Sequence, residues 1–369
     1  MNTISLQEMD KKDEVMEQNR RKSKWRRIPV LCSLFLLSLV FHHCGPAGHV
    51  SQITFSHILT DQSEWHAGAA KWKELVEEKL GEQMKIRLVT TSSLSKNNQR
   101  TELEMVQSGT LGGSWESSIL LTMADPKWTV WSLPWLFNSY EDAEQVCESE
   151  LGEEMLQSLE EKGIVGLGYG FNGFRRLTNS KRPVATVKDI QNLKIRVPSI
   201  QMYISLFRAW GADPSSMNFG DLIAVMRVGG MDGQENPLHV IDSRGLYELQ
   251  KYLTLWEYSF DPIIFCLSRQ VWDRLTPEVQ EVLRDAAREA CRHQRQIVVE
   301  NEKKHLETLR AHGMEITIPS QESIAEFKKL AQSVYDEYEP VIGKELLDKF
   351  IHRSAAISSN SGGAPAPGS

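Results

Sequence analysis

From residue 50 onward, short apolar runs alternate with longer stretches in which apolar residues recur every three to four positions. Runs of the first kind predict strands, and stretches of the second kind predict amphipathic helices. The first strand is predicted over residues 52–59 and the first helix over residues 61–80, with a glycine ending the helix. The apolar stripe of this helix consists of Ala69, Trp72, Leu75, Val76 and Leu80. This pair predicts the start of a βαβ unit.

The same alternation continues through the middle of the chain. Further strands are predicted over residues 85–89, 115–121, 164–169, 174–178 and 194–197. Further helices are predicted over residues 98–107, 141–159, 200–210 and 220–228. Strands that alternate with helices favour an α/β fold built on largely parallel sheets.

A helix of unusual length is predicted in the last third of the chain. Thr276 is a favourable N-cap, and Pro277 stands at the first helical position. The pattern then runs without a helix breaker to about Leu309. Because this exceeds the common length of helices in globular domains, we expect the helix to bridge two lobes rather than to pack within one.

Both ends of the chain differ in composition from the rest. Residues 1–28 carry eight Lys or Arg against five Asp or Glu, and an uncharged apolar run of 14 residues, Ile28–Phe41, follows. This run is shorter than the ~20 residues that span a bilayer, so residues 1–47 are predicted to form a signal peptide. An uncleaved membrane anchor is the alternative. Residues 353–369 are rich in Ser, Gly, Ala and Pro and predict a disordered tail.

The end of the signal peptide can be placed in two ways. Cys44 stands where a bacterial lipoprotein carries its acylated cysteine, although His42 and His43 depart from that pattern. Cleavage after Ala47 is the competing interpretation. Both interpretations predict export, and the first adds a lipid anchor.

Composition narrows the possible functions. The net charge of −7 argues against a broad nucleic-acid-binding face, which needs an excess of Lys and Arg. Cys147, Cys266 and Cys291 match neither a disulfide framework nor a catalytic signature. The histidines show no metal-ligand spacing. We therefore expect no nucleic-acid partner, no enzymatic activity, no metal and no cofactor.

One glycine motif suggests a different function. Gly168, Gly170 and Gly173 match the spacing of a dinucleotide-binding loop and follow a predicted strand. Such a loop should open a helix that holds the pyrophosphate, whereas Pro183 interrupts the segment that follows here. We therefore interpret the glycines as a crossover between lobes rather than as a nucleotide site.

Arginines at strand boundaries point to a carboxylate ligand. Arg175 and Arg176 lie at the start of one predicted strand, and Arg196 lies near the end of another, two residues before Pro198. Ligands of α/β sheets bind at the carboxyl edge of the strands, and a guanidinium can hold a carboxylate through two hydrogen bonds. The alternative for each arginine is an ordinary ion pair at the surface.

Five segments together carry a resemblance to a known family. They are residues 173–183, 189–198, 211–214, 232–237 and 248–253. In order and spacing, they closely resemble the DctP-type solute-binding subunit of tripartite ATP-independent periplasmic (TRAP) transporters. A weaker similarity extends over about residues 52–350.

The resemblance implies a periplasmic, monomeric protein of two α/β lobes that close on a small organic acid. The protein would deliver the acid to the small and large TRAP membrane subunits for ion-coupled uptake. Lobe I is expected to comprise residues 50–172 with 262–301, and lobe II residues 173–261 with 302–352. A solute-binding lipoprotein that serves a sensor kinase is the alternative, because its cleft could be identical.

The resemblance also implies which residues hold the ligand carboxylate. The main salt bridge carries over to Arg196, and a second arginine carries over to Arg175 rather than to Arg176. The amide of Asn236 can donate to the same carboxylate. We expect these side chains to form a clamp.

Other candidate contacts concern the body of the ligand. Phe219 matches an aromatic residue that packs on the ligand, and Glu116 falls near an acidic residue that contacts ligand hydroxyls. Trp115 and Tyr258 are cleft candidates by position alone. C4-dicarboxylates, 2-oxo acids, sugar acids and sulfonates all suit an arginine anchor. An acidic Glu116 in the cleft would favour a hydroxylated monoacid such as a sugar acid.

Overall fold

The computed structural model describes residues 51–360, with side chains through residue 354. The predicted signal peptide, including Cys44, and residues 361–369 lie outside the described residues. The strands are β1 (Gln52–Ser56), β2 (Lys85–Val89), β3 (Gly113–Ser117), β4 (Ile164–Phe174), β5 (Arg176–Asn179), β6 (Lys194–Val197), β7 (Asp213–Ser216), β8 (Gly233–Asn236), β9 (Tyr252–Thr254), β10 (Phe260–Ser268) and β11 (Glu315–Thr317).

Helices cover these strands and connect them. They are α1 (Glu64–Leu80), α2 (Gln99–Gln107), α3 (Ser118–Leu121), α4 (Tyr140–Cys147), α5 (Glu150–Ser158), α6 (Val187–Ile190), α7 (Gln201–Ala209), α8 (Phe219–Arg227), α9 (Leu238–Ser243), α10 (Arg269–Trp272), α11 (Pro277–Ala311), α12 (Gln321–Ile342) and α13 (Lys344–Asn360). Among the described residues, no helix is both long and apolar enough to cross a membrane.

The strands form two separate sheets. The first has the order β2-β1-β3-β10-β4, and the second has the order β11-β9-β5-β8-β6-β7. In the first sheet β1 is parallel to β2 and β3, whereas β10 is antiparallel to β3 and β4. In the second sheet β5 is antiparallel to β8 and β9, and the other pairs are parallel. Each sheet with its helices forms one lobe of an α/β fold.

Two crossovers and one long helix join the lobes. Strand β4 passes into β5 through Arg175, and β9 passes into β10 through residues 255–259. The two crossovers are tied together, since the Arg175 amide donates to the Ser259 carbonyl at 2.9 Å. Helix α11 packs against α1, β4 and α9 and leads into β11 of the second sheet. The predicted bridging helix is therefore observed.

The glycine motif belongs to a strand. Gly168, Gly170 and Gly173 lie in β4, which pairs with β10 along its length. A Cβ atom on Gly170 would approach the Gln294 side chain of α11 to 2.5 Å. The crossover itself lies at Arg175, a few residues after these glycines. The glycines instead allow α11 to pack closely on the sheet.

Other predicted elements differ in their boundaries. Strand β3 ends at Ser117, whose side chain caps α3, so the predicted strand over 115–121 is half helical. The predicted helix over 141–159 is two helices, because Ser149 caps α5. The sheets are mixed rather than largely parallel, since strands β5 and β10 enter them from the opposite direction.

The carboxyl-terminal helices cross between the lobes. Helix α12 packs against α7 and against the turn over residues 126–132, and α13 packs against α4 of the first lobe. Ser354 is buried and its hydroxyl donates to the Leu136 carbonyl at 2.6 Å. The chain is thus helical through Asn360, where the sequence predicts a disordered tail from residue 353. Leu347 and Phe350, in the first half of α13, are buried and attach this part of the helix to the core.

Candidate functional site

A narrow cleft lies between the two sheets. Its apolar wall includes Ile58, Leu59, Trp65, Ile119 and Phe219. Its polar lining comprises Gln99, Ser117, Asn172, Arg175, Arg196, Asn236 and Asp261. The lining comes from both lobes, so any molecule held here is contacted from two sides.

Arg196 places a buried cation without a direct ion pair in this cleft. It lies on β6, is 2% exposed, and donates from Nε and Nη2 to the Met217 carbonyl at 3.1 and 2.7 Å. Within the described chain, no carboxylate lies within salt-bridge distance of Arg196. Burial lowers the pKa of the guanidinium to about 10. A buried cation without an ionic partner is a favourable anchor for an anion.

Arg175 is already engaged by two buried carboxylates. Its Nε and Nη2 atoms hold the two oxygens of Glu235, and its Nη1 donates to Asp261 Oδ2 at 2.9 Å. Burial opposes the charge, but Glu235 foremost, and Asp261, raise the pKa of Arg175 above its ordinary value. Arg175 therefore shapes the cleft, whereas Arg196 supplies its free positive charge.

Asn236 and Phe219 also line the cleft. The Asn236 amide donates to the Gln234 side chain, and its oxygen accepts from Arg175 Nη2 at 3.3 Å. Phe219 begins α8, and its ring centroid lies 5.8 Å from the Arg196 guanidinium carbon. The ring and the guanidinium thus form one surface of the cleft.

Three predicted contacts do not line the cleft. Glu116 faces the opposite side of β3 from Ser117, because successive side chains of a strand alternate, and Ser117 lines the cleft instead. Trp115 packs on Phe265 in the core, with ring centroids 4.9 Å apart. Tyr258 stands behind the site, where its hydroxyl donates to Glu235 Oε2 at 2.5 Å. Ligand selection by Glu116 is therefore not supported.

Sequence reasoning missed Asp261, which organises one wall. Its Oδ1 accepts from the hydroxyls of Ser117 and Ser118 at 2.7 and 3.1 Å, and its Oδ2 accepts from Asn172 Nδ2 at 2.7 Å and from Arg175. A single acidic residue within the apolar run of β10 was the available signal. Four donors leave this carboxylate compensated.

Glu116 instead forms a buried acidic pair with Glu102. Ser114 donates to Glu116 Oε1 at 2.7 Å and Ser92 donates to Glu102 Oε2, while Glu102 Oε1 and Glu116 Oε2 have no hydrogen-bond partner. Burial raises the pKa of both groups, and the charge of Glu102 raises that of Glu116 further.

The substitution Glu116→Gln is expected to stabilise the protein at neutral pH by about 1–3 kcal/mol. A carboxyl whose pKa is raised on folding favours the native state at low pH, and this advantage is lost as pH rises above its unfolded value near 4.5. Urea unfolding of both proteins between pH 4 and pH 8 measures the effect. The difference in unfolding free energy should grow with pH, and a constant or reversed difference would contradict the assignment.

Two lobes, joined by crossovers and enclosing a cleft with a buried cation, define a binding protein for a small anion. The model of the DctP family, described as bacterial extracellular solute-binding protein, family 7, matches residues 55–340. The chain therefore belongs to this family, which confirms the resemblance in the sequence motifs. Its members are extracytoplasmic solute-binding proteins of transport systems and not enzymes.

Individual relatives agree with this assignment. The 2,3-diketo-L-gulonate-binding periplasmic protein YiaO of Escherichia coli K12 is 30% identical over 264 residues, which are 72% of this chain and 80% of that protein. A TRAP periplasmic solute-binding protein from Ralstonia eutropha, with bound (S)-2-acetolactate, has a TM-score of 0.80 and 30% identity over 83% of this chain and 99% of its own. The sugar acid binding protein DctPAm from Advenella mimigardefordensis, in complex with galactonate, has a TM-score of 0.81 and 27% sequence identity. The match covers 83% of this chain and 98% of that protein.

Proposed function

We propose that this protein binds a small organic acid in the cleft and that Arg196 anchors its carboxylate. The observation that carries the proposal is the burial of the Arg196 guanidinium with no carboxylate of the described residues within salt-bridge distance. Arg175 and Asn236 complete the predicted clamp as one wall of the anion site, although Arg175 is held by Glu235 and Asp261. A ligand carboxylate would give Arg196 the salt bridge that the described residues do not provide.

The charges of the cleft favour a monocarboxylate over a dicarboxylate. Arg175 and Arg196 are balanced in number by Glu235 and Asp261, so one ligand carboxylate already makes the group negative. The remaining polar lining is neutral and suits hydroxyl groups, as in a sugar acid. The names of the relatives that bind galactonate and 2,3-diketo-L-gulonate support this class. A relative in Bacillus subtilis is named for C4-dicarboxylate binding, so that class is the second candidate.

The chain would act outside the cytoplasmic membrane as the receptor of a TRAP transporter. We propose that the lobes close on the acid by bending at the two crossovers and that the closed protein delivers it to the small and large membrane subunits. The same proposal includes the lobe boundaries predicted from the sequence and a monomeric state. It also includes export, either with a lipid anchor at Cys44 or after cleavage behind Ala47. Service to a sensor kinase is the alternative, and its cleft would look the same.

The monocarboxylate preference can be tested with two acids that differ at one end. Galactonate and galactarate share a six-carbon chain, but galactarate carries a second carboxylate in place of the terminal CH₂OH. In thermal unfolding experiments we expect galactonate to stabilise the protein by about 2.7 kcal/mol at 100 times its dissociation constant. Galactarate at the same concentration as galactonate should stabilise the protein much less, because its dissociation constant is expected to be larger. Succinate at that concentration serves as the C4 comparison. Equal or stronger stabilisation by galactarate or succinate would contradict the proposed class.

A further inference from the structure

Four titratable side chains outside the predicted site form a continuous ionic chain between the lobes. Glu64 is the first residue of α1, His239 and Asp242 lie on α9, and His305 lies on α11. Helix α1 packs on the first sheet, α9 directly follows β8 of the second sheet, and α11 packs against both helices. The ionic chain therefore spans the boundary between the two lobes.

Both ring nitrogens of His305 face carboxylates. Its Nε2 lies 2.6 Å from Glu64 Oε1, and its Nδ1 lies 2.7 Å from Asp242 Oδ2. An imidazole can donate from both nitrogens only when it is protonated. Although burial opposes the charge, the two carboxylates raise the pKa of His305 to about 9. His239 and His305 together hold the pKa of Glu64 well below its ordinary value, against the opposing effect of burial.

The other side of Glu64 leads to the cleft. Its Oε2 lies 3.2 Å from Nδ1 of His239. Nε2 of that ring lies 2.9 Å from the Asn172 carbonyl and 3.1 Å from Asn172 Oδ1. Both atoms are acceptors, so Nε2 of His239 carries a proton and donates it.

Asn172 is oriented by these donors. Trp65 Nε1 also donates to Asn172 Oδ1, at 3.2 Å, which fixes the amide oxygen on the side of His239 and Trp65. The amide nitrogen must then face the cleft, where it donates to Asp261 at 2.7 Å. Trp65, Asn172 and Asp261 all line the cleft, so the ionic chain ends on groups that would contact a ligand.

We propose that His305, Glu64 and His239 are positioning residues for ligand binding: they hold Asn172 in its binding orientation and tie the lobes in the closed arrangement. The proposal rests on the proposed function of the cleft. The groups that face His305 are Glu64 from α1 and Asp242 and His239 from α9. Loss of the His305 proton leaves Glu64 and Asp242 facing each other without a cation, which weakens the closed arrangement.

The direction of the pH dependence follows from His305. Because folding raises its pKa from 6.5 to about 9, its stabilising effect is complete below pH 6.5 and is lost as pH rises through 9. Glu64 acts in the opposite range, since a lowered pKa gives stabilisation that is present above about pH 4.5 and lost in stronger acid. Binding that depends on these groups should therefore be strongest near neutral and mildly acidic pH.

Calorimetry with galactonate between pH 6.5 and pH 10 tests the proposal. For the wild-type protein we expect the affinity to fall about ten-fold across pH 9. His305→Gln should show weakened binding at pH 7 and a smaller fall in affinity between pH 7 and pH 10 than the wild type, because the pKa of Arg196 near 10 lowers the affinity of both proteins at the top of this range but only the wild type also loses the His305 proton. Asp242→Asn keeps the contact between His305 and Glu64 but removes one of the two carboxylates that raise the pKa of His305. The pH at which its affinity for galactonate falls should therefore be lower than in the wild type. His293→Gln, on the same helix and without a hydrogen bond among those described, is the matched control and should behave as the wild type.

The possible outcomes separate this proposal from the one it rests on. Wild-type binding with a pH profile that His305→Gln leaves unchanged would overturn the positioning role, even if that variant were less stable. If His305→Gln does not fold, an Asp242→Asn transition at the wild-type pH has the same meaning. Absence of galactonate binding to the wild type at pH 7 would instead overturn the proposed function, and the positioning role with it.

Discussion

Replacing Arg196 by methionine is expected to weaken binding of the acid at least about 100-fold, or about 2.7 kcal/mol, without lowering the stability of the fold. Among the described residues no carboxylate forms a salt bridge with this guanidinium, so it is free to pair with the acid, and the ligand loses its ionic anchor on substitution. The unliganded protein loses only a buried charge and two hydrogen bonds to Met217. Methionine fills a similar volume, and removal of a buried charge can be neutral or stabilising.

Calorimetry and urea unfolding of Arg196→Met measure the two effects separately. Arg208→Met is the control, because Arg208 is exposed at the end of α7 and should leave both quantities unchanged. Unaltered affinity in Arg196→Met would show that Arg196 does not anchor the acid.

Arg175→Met is expected to destabilise the fold by about 3–5 kcal/mol, in contrast to the substitution at Arg196. Arg175 pairs with Glu235 and Asp261, and the substitution would leave both carboxylates buried with one cation fewer. The cost is that of an uncompensated buried charge, and ligand binding would be lost as a consequence of the disturbed wall. Urea unfolding in the absence of ligand measures the effect.

A companion variant distinguishes this explanation from a simple loss of packing. Glu235→Gln combined with Arg175→Met removes one negative and one positive charge, and it should recover part of the lost stability. If the double variant is less stable than Arg175→Met by the full effect of a second independent substitution, the ionic explanation is wrong.

The sequence predicts much of the fold because local patterns determine it. The stripe of α1, the caps of α11 and the strand β6 lie close to their predicted positions. The mixed direction of the sheets could not be predicted in the same way. It depends on where β10 inserts between β3 and β4, and that pairing joins residues about 150 positions apart in the chain.

The candidate site shows a similar division. Arg175, Arg196, Asn236 and Phe219 lie at the ends of strands or helices that motifs locate well, and all four line the cleft. Glu116 was misplaced because a shift of one residue along a strand moves a side chain to the opposite face.

The sequence also could not predict which of the two arginines pairs with carboxylates of the protein. The sequence does not distinguish Arg175 from Arg196. The folded chain does, because Glu235 and Asp261 both form salt bridges with Arg175. Asp261 reaches the site from a strand that lies 86 positions away in the sequence. The distinction between a structural arginine and an anchoring arginine is therefore a property of the tertiary structure.

A crystal structure of the protein with galactonate would show directly whether Arg196 anchors the acid. We expect the carboxylate to lie within hydrogen-bond distance of the Arg196 guanidinium, beside Phe219, while the contacts of Arg175 with Glu235 and Asp261 are retained. A galactonate molecule bound in the cleft with its carboxylate on other groups, or bound outside the cleft, would contradict the account.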